Sequence, residues 1–97
     1  MPTFVSLINW TEQGVKNFRD TPKRANAFRE LVEKNGGRVV SIYWTLGEYD
    51  IVAITEAPDD ETFTAVALML GSLGNVRTAS LRAFDQDEFE GILKKTG

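Results

Sequence analysis

Apolar and polar residues alternate along this chain with two different periods, and each period predicts a different kind of element. Four segments, residues 3–10, 38–46, 50–56 and 76–84, are rich in β-branched and aromatic residues. That composition is typical of strands, whose side chains pack on a pleated surface. These four segments therefore predict four strands.

Two segments between the strands instead repeat their apolar residues at helical spacing. The first begins at Thr21-Pro22, where Thr is a favourable N-cap and proline is tolerated in the first turn. The second begins within the acidic run 58–61, which suits the positive end of a helix dipole. Their apolar stripes are Ala25, Phe28, Leu31 and Val32 in the first, and Phe63, Val66, Leu70 and Leu73 in the second. The sequence thus predicts two long helices, ended by the glycines at 36–37 and 74.

The remaining segments predict minor elements. Residues 11–18 predict an irregular or single-turn segment, and residues 85–95 predict a short C-terminal helix. The order strand-helix-strand-strand-helix-strand is the ferredoxin-like pattern, which belongs to the α+β class. We expect one domain over residues 1–97, with a four-stranded antiparallel sheet and both long helices on one face.

Alternation along the strands divides their side chains into two sets. The more apolar set, which we assign to the helix side, is Val5, Leu7, Val40, Ile42, Trp44, Val52, Ile54, Ala79, Leu81 and Ala83. The mixed set, which we assign to the uncovered face, is Phe4, Ser6, Ile8, Trp10, Val39, Ser41, Tyr43, Thr45, Ile51, Ala53, Thr55, Val76, Thr78, Ser80, Arg82 and Phe84. Such a mixture suits a wet subunit interface or a ligand pocket.

The loop around Gly47 decides the register of this assignment. A two-residue turn at Gly47-Glu48 would pair Trp44 with Ile51, whereas a three-residue loop would pair Trp44 with Val52. The face assignment above requires the three-residue loop, which we expect.

The hairpin segment Tyr-Trp-Thr-Leu-Gly-Glu-Tyr-Asp, residues 43–50, resembles the signature of the GYD domain family. The stretches 56–61 and 71–78 resemble it too, as does Gly14 followed by the helix that carries Arg24. Glu48, inserted within the Gly-Tyr-Asp motif, is the one departure. The resemblance implies a dimeric α+β barrel, in which two such sheets face each other. That group includes cofactor-independent monooxygenases, isomerases and ligand-sensing domains.

Composition narrows the possible chemistry. The net charge of −3 argues against a nucleic-acid partner, which would favour a basic patch. Neither cysteine nor histidine occurs, so there is no thiol nucleophile, no imidazole base and no common zinc or haem ligand. We expect no cofactor and no metal site. A signal peptide and an apolar run long enough to span a membrane are both lacking, so we expect no membrane partner and a cytoplasmic location.

Several side chains are candidates for a ligand site. Tyr43 and Arg82 are predicted to orient a carboxylate or enolate, or alternatively to form a packed tyrosine and an interface salt bridge. The predicted hydrogen-bonding hydroxyls are Ser6, Ser41, Thr55, Thr78 and Ser80, with cross-strand pairing as the alternative. Tyr49 is a candidate at the hairpin end, where Asp50 is expected to fix the turn.

The tryptophans Trp10 and Trp44 are further candidates, with the alternative that they anchor the core or an interface. Three functions stay open at this point. The chain is a homo-oligomer that binds a small molecule in a cleft lined by the sheet, a cofactor-independent monooxygenase or isomerase, or a structural or regulatory module that binds protein. The enzyme would lack a histidine base and would need a tyrosine or carboxylate instead.

Overall fold

The computed structural model describes all 97 residues and contains the predicted order of strands and long helices. The elements are β1 (Thr3–Trp10), α1 (Glu12–Lys16), α2 (Thr21–Lys34), β2 (Arg38–Trp44), β3 (Ile51–Glu56), α3 (Asp60–Ser72), β4 (Val76–Ala83) and α4 (Gln86–Leu93), with 3-10 turns at Phe18–Asp20 and Lys94–Thr96. All strand pairs are antiparallel, and the sheet order is β2-β3-β1-β4. The α+β ferredoxin-like prediction is confirmed.

Helix starts follow from local capping. The Asp59 carboxylate accepts a 2.7 Å hydrogen bond from the Thr62 backbone N–H at the start of α3. Hydrogen bonding from the Thr62 hydroxyl and from this N–H lowers the pKa of Asp59 below 3.8. Asp85 forms a capping box with Glu88 at the start of α4. Thr21 is the first residue of α2 rather than its cap, because Asp20 occupies the N-cap position.

The core lies between one face of the sheet and the two long helices. Ile8, Ile51 and Ala53 of the sheet pack with Phe28 and Val32 of α2 and with Val66 of α3. A smaller cluster joins Phe4, Ala57 and Phe63, in which the two phenylalanine rings stack with centroids 4.0 Å apart. Both long helices therefore cover the same face of the sheet.

The predicted assignment of the two faces was wrong for three of the four strands. Phe4, Ser6, Ile8, Ile51, Ala53 and Thr55 are buried on the helix side, and the β4 residues Thr78, Ser80 and Arg82 are paired with this row. The side chains of Val5, Leu7, Val52, Ile54, Ala79, Leu81 and Ala83 point to the other side. In β2 the assignment holds only for residues 41–44, with Ile42 and Trp44 on the helix side and Ser41 and Tyr43 opposite. Val39, which we assigned to the uncovered face, packs against the core instead.

The register around Gly47 explains part of the error. Trp44 pairs with Ile51, not with Val52 as the expected three-residue loop required. A bulge between Val39 and Ser41 also shifts the phase of β2, so Val39 and Ile42 both pair with helix-side residues. The indole N–H of Trp44 then donates a 3.0 Å hydrogen bond to the Thr21 hydroxyl at the start of α2.

No part of the chain covers the second face of the sheet. We call this surface the open face; its central residues are Val5, Leu7, Ser41, Tyr43, Val52, Ile54, Ala79, Leu81 and Ala83. This centre is mostly apolar, and Leu81 and Tyr43 on the two edge strands are 53% and 60% exposed. Polar residues lie on the same side at the strand ends, namely Thr3, Asn9, Arg38, Glu56 and Arg77. None of the helices has the length and apolar composition needed to cross a lipid bilayer.

Candidate functional site

A cleft opens between α2, the helix side of the sheet and the end of α3. Its volume is about 120 Å³. Twelve of its fifteen lining residues are hydrophobic: Ile8, Trp10, Ala25, Ala27, Phe28, Leu31, Ile42, Ile51, Ala53, Leu70, Leu73 and Val76. An apolar concave site with few polar groups is typical of small-molecule pockets.

Three polar residues complete the lining, namely Thr21, Arg24 and Asn75. Arg24 donates a 3.1 Å hydrogen bond from Nη2 to the Gly14 carbonyl and takes part in no salt bridge. The indole N–H of Trp10 is buried and has no hydrogen-bond partner. The cleft thus combines an apolar wall with one unpaired cation and one unpaired donor.

Hydrogen bonds between two distant segments build one rim of the cleft. The Thr11 backbone N–H donates to the Asn75 carbonyl at 3.0 Å, and the Thr11 hydroxyl donates to the Gly74 carbonyl. The Gln13 amide donates to the Asn75 side chain at 2.9 Å and to the Leu73 carbonyl at 3.1 Å. Asn75 is therefore held in place where it lines the cleft.

Of the predicted ligand residues, the structure places only Trp10 in this cleft. Ser6 and Ser80 form a 3.0 Å hydrogen bond to each other across β1 and β4, which is the cross-strand pairing left open as the alternative. The Thr55 hydroxyl is buried without a partner, and Thr78 pairs with Ile8 on the helix side.

Tyr43 and Arg82 do not form the expected pair within one chain. Tyr43 is on the open face of the edge strand β2, whereas Arg82 is on the helix side of the opposite edge strand β4. The Arg82 guanidinium lies over the Phe84 ring, 4.6 Å from its centroid, and 3.8 Å from Glu88. It therefore links β4 to the tail helix.

The hairpin residues have structural contacts. The Tyr49 carbonyl accepts a hydrogen bond from the Thr45 hydroxyl. Asp50 accepts from the Trp10 backbone N–H at 2.9 Å, so it ties the hairpin to β1 rather than to the loop amides we expected. Ser41, like Tyr43, lies on the open face.

Arg24 and Asn75 line the cleft but were not predicted from the sequence as site residues. Arg24 precedes Phe28 by four positions and Leu31 by seven, so it lies on the apolar stripe of α2. An arginine on an otherwise apolar helix face was the sequence feature that could have identified Arg24 as a site residue. Asn75 offered no comparable signal, because its position depends on the contact between the start of α1 and the loop before β4.

Arg24 is the sole ionisable residue in the cleft, and no carboxylate, tyrosine or lysine lines it. A general base must reach its substrate within hydrogen-bond distance. The residues present can hold and orient a ligand, but none of them is suited to abstract a proton.

Comparison with known proteins places these features in a family. The "Glutamine synthetase and cystathionine beta-lyase binding protein" of Thermus thermophilus is 38% identical over 95 residues, covering 97% of this chain and 100% of the relative. The crystal structure of TTHA0845, also from Thermus thermophilus, matches with a TM-score of 0.57 and 29% identity, over 88% of this chain and 95% of that one. The family model described as the GYD domain matches residues 4–93. This chain therefore belongs to the GYD domain family, as its hairpin signature predicted.

Proposed function

We propose that this chain is a self-associating module that binds metabolic enzymes. The observation that carries the proposal is its similarity, along nearly its whole length, to a protein named for binding glutamine synthetase and cystathionine beta-lyase. The absence of a general base in the cleft supports a binding role over the monooxygenase or isomerase alternative.

Self-association is supported by the total exposed area of the chain, and the open face is the apolar surface available for it. The chain exposes 6594 Å², whereas a compact protein of its mass exposes about 5,500 Å². The difference exceeds the roughly 800 Å² that each partner buries in a standard interface. Pairing two open faces would cover the apolar residues that the helices leave exposed.

Surface plasmon resonance with glutamine synthetase and cystathionine beta-lyase from the same organism tests enzyme binding. We expect saturable binding of at least one of the two enzymes. The Thermus relative with its own enzymes serves as the positive control. If the relative binds and this chain binds neither enzyme, the proposed interaction is wrong.

Light scattering after size-exclusion chromatography tests self-association. Leu81→Lys places a charge on the open face and is expected to yield monomers, because burying an unpaired ammonium is strongly unfavourable. Leu68→Lys is the matched control, since Leu68 is 70% exposed on α3 and lies away from that face. Equal oligomeric states for the two variants would contradict the assignment of the interface.

A second function, small-molecule binding, is favoured by the apolar cleft itself. A thermal-shift screen against carboxylates, phenols and lactones tests it, because a ligand stabilises the folded state according to its concentration relative to its Kd. Ala25→Leu, which narrows the cleft, is expected to reduce any shift. Ala65→Leu, on the exposed side of α3, is the control. Equal shifts in both variants would place the ligand elsewhere.

A further inference from the structure

We propose that the cleft binds a small carboxylic acid with a compact apolar body, such as a single aromatic ring or a branched aliphatic chain. This inference rests on the proposed small-molecule function and specifies its ligand class. Three features of the cleft support it, namely its volume, its unpaired cation and its unpaired donor.

The volume limits the size of the apolar body. The cleft encloses about 120 Å³, and an apolar cavity of about 150 Å³ in another protein accommodates benzene. One six-membered ring, or a branched chain of similar size, is therefore the upper limit for the apolar body between α2 and the sheet. The side chains of Phe28, Leu31 and Ile42 supply the apolar walls.

The charge of Arg24 selects an anionic group on the ligand. Its guanidinium carries five donor N–H groups, and its one hydrogen bond is to the Gly14 carbonyl, a neutral acceptor. No acidic side chain lines the cleft or forms a salt bridge with Arg24. A planar carboxylate matches the fork of a guanidinium and would supply the missing negative charge.

Trp10 adds a second polar contact. Its indole N–H is buried without a partner in a residue that lines the cleft. Buried donors in native proteins are nearly always hydrogen-bonded, so an unpaired one calls for a partner. A ligand oxygen is an acceptor of the required kind, and Trp10→Phe removes the donor while keeping an aromatic ring.

Isothermal titration calorimetry with benzoate and benzamide tests the ligand class. The two probes have the same ring and differ in charge. We expect wild-type protein to bind benzoate about 10- to 100-fold more tightly than benzamide, the range for hydrogen bonds to charged groups. Arg24→Gln should remove that preference, and Arg29→Gln, on the same helix but outside the cleft, should retain it.

The outcomes separate this inference from the proposal on which it rests. Benzamide binding as tightly as benzoate would overturn the carboxylate preference while leaving a small-molecule cleft in place. Binding of neither probe, with a thermal shift from a phenol or lactone of the screen, would overturn the inferred acid and retain the small-molecule function. Binding of neither probe and no shift from any compound of the screen would overturn both. Should Arg24→Gln fail to fold, Arg24→Lys replaces it, because lysine keeps the charge but loses the bidentate fork. An unchanged affinity for benzoate in both Arg24→Lys and Trp10→Phe would overturn the assigned contacts.

Discussion

Gly14 lies where no side chain fits, because α1 packs directly on the backbone of the loop before β4. A Cβ atom at Gly14 would stand 1.9 Å from the Asn75 carbonyl oxygen. This oxygen also accepts the Thr11 N–H, so it cannot move without breaking the rim of the cleft. The glycine is therefore required by contact between two backbones.

Gly14→Ala is expected to destabilise the fold by at least about 1–3 kcal/mol, the usual penalty of overpacking. Gly71→Ala is the matched control, because nothing lies within 4 Å of its Cβ position in α3. Alanine is the better helix former, so Gly71→Ala should stabilise by about 0.5–1 kcal/mol. Urea denaturation measures both, and an equal effect of the two variants would contradict the close approach.

The elements depend on a few charge-assisted hydrogen bonds at their ends. Asp50 joins the β2–β3 hairpin to β1, and Asp59 caps α3. The sequence predicted the positions of these elements, since strand composition and helix capping are local properties. It did not predict which neighbour Asp50 contacts, because that contact crosses between β1 and β3.

Asp50→Ala removes the acceptor of the Trp10 backbone N–H and is expected to cost about 1–3 kcal/mol of stability. Glu48→Ala is the control, because Glu48 is exposed in the same hairpin and its side chain forms no hydrogen bond. Chemical denaturation compares the two. A smaller loss for Asp50→Ala than for Glu48→Ala would show that the hairpin is held by other contacts.

The cap at Asp59 predicts a pH dependence. Hydrogen bonding from Thr62 lowers the pKa of Asp59 in the folded protein. The stabilisation by the ionised Asp59 carboxylate is therefore complete above pH 3.8 and is lost as the pH falls through the lowered pKa. The difference in unfolding midpoint between wild type and Asp59→Ala should therefore shrink below pH 3.8. Glu61→Ala, which removes a charge from the same turn, should show no matching change. A difference independent of pH would exclude the carboxylate as the cap.

On the scale of the whole molecule, both faces of the sheet carry apolar side chains at their centre. Alternation separates the two sets of side chains, but it cannot identify the helix side when each set contains Val, Ile and Leu. The bulge at Val40 then reverses the order in which β2 side chains alternate between the two faces. The fold and the family were therefore predictable from local patterns and motifs, whereas the face that carries the cleft required the register and the packing of the helices.

The tail is the least integrated part of the molecule. The radius of gyration is 14.5 Å, against about 12.5 Å for a compact chain of this length. Phe89 and Leu93 of α4 are half exposed, and an ion pair between Arg82 and Glu88 links β4 to the tail. The α4 helix thus packs weakly on its own domain.

Removal of residues 86–97 is expected to leave the domain folded, with a change in unfolding free energy below about 1 kcal/mol, as for an exposed ion pair. Circular dichroism and urea denaturation at low protein concentration measure this. A truncation that also removes β4 is the control and should not fold, because β4 pairs with the central strand β1. Loss of cooperative unfolding in the shorter truncation would show that the tail supports the core.

The two tryptophans of this chain have a practical consequence for experiment. Trp10 lines the cleft with a free indole N–H, and Trp44 bonds to Thr21, which also lines it. The fluorescence of both Trp10 and Trp44 is therefore expected to depend on whether the cleft is occupied. Occupancy of the cleft should alter the intrinsic emission of the unlabelled protein, and Trp10→Phe or Trp44→Phe would assign the signal to one ring.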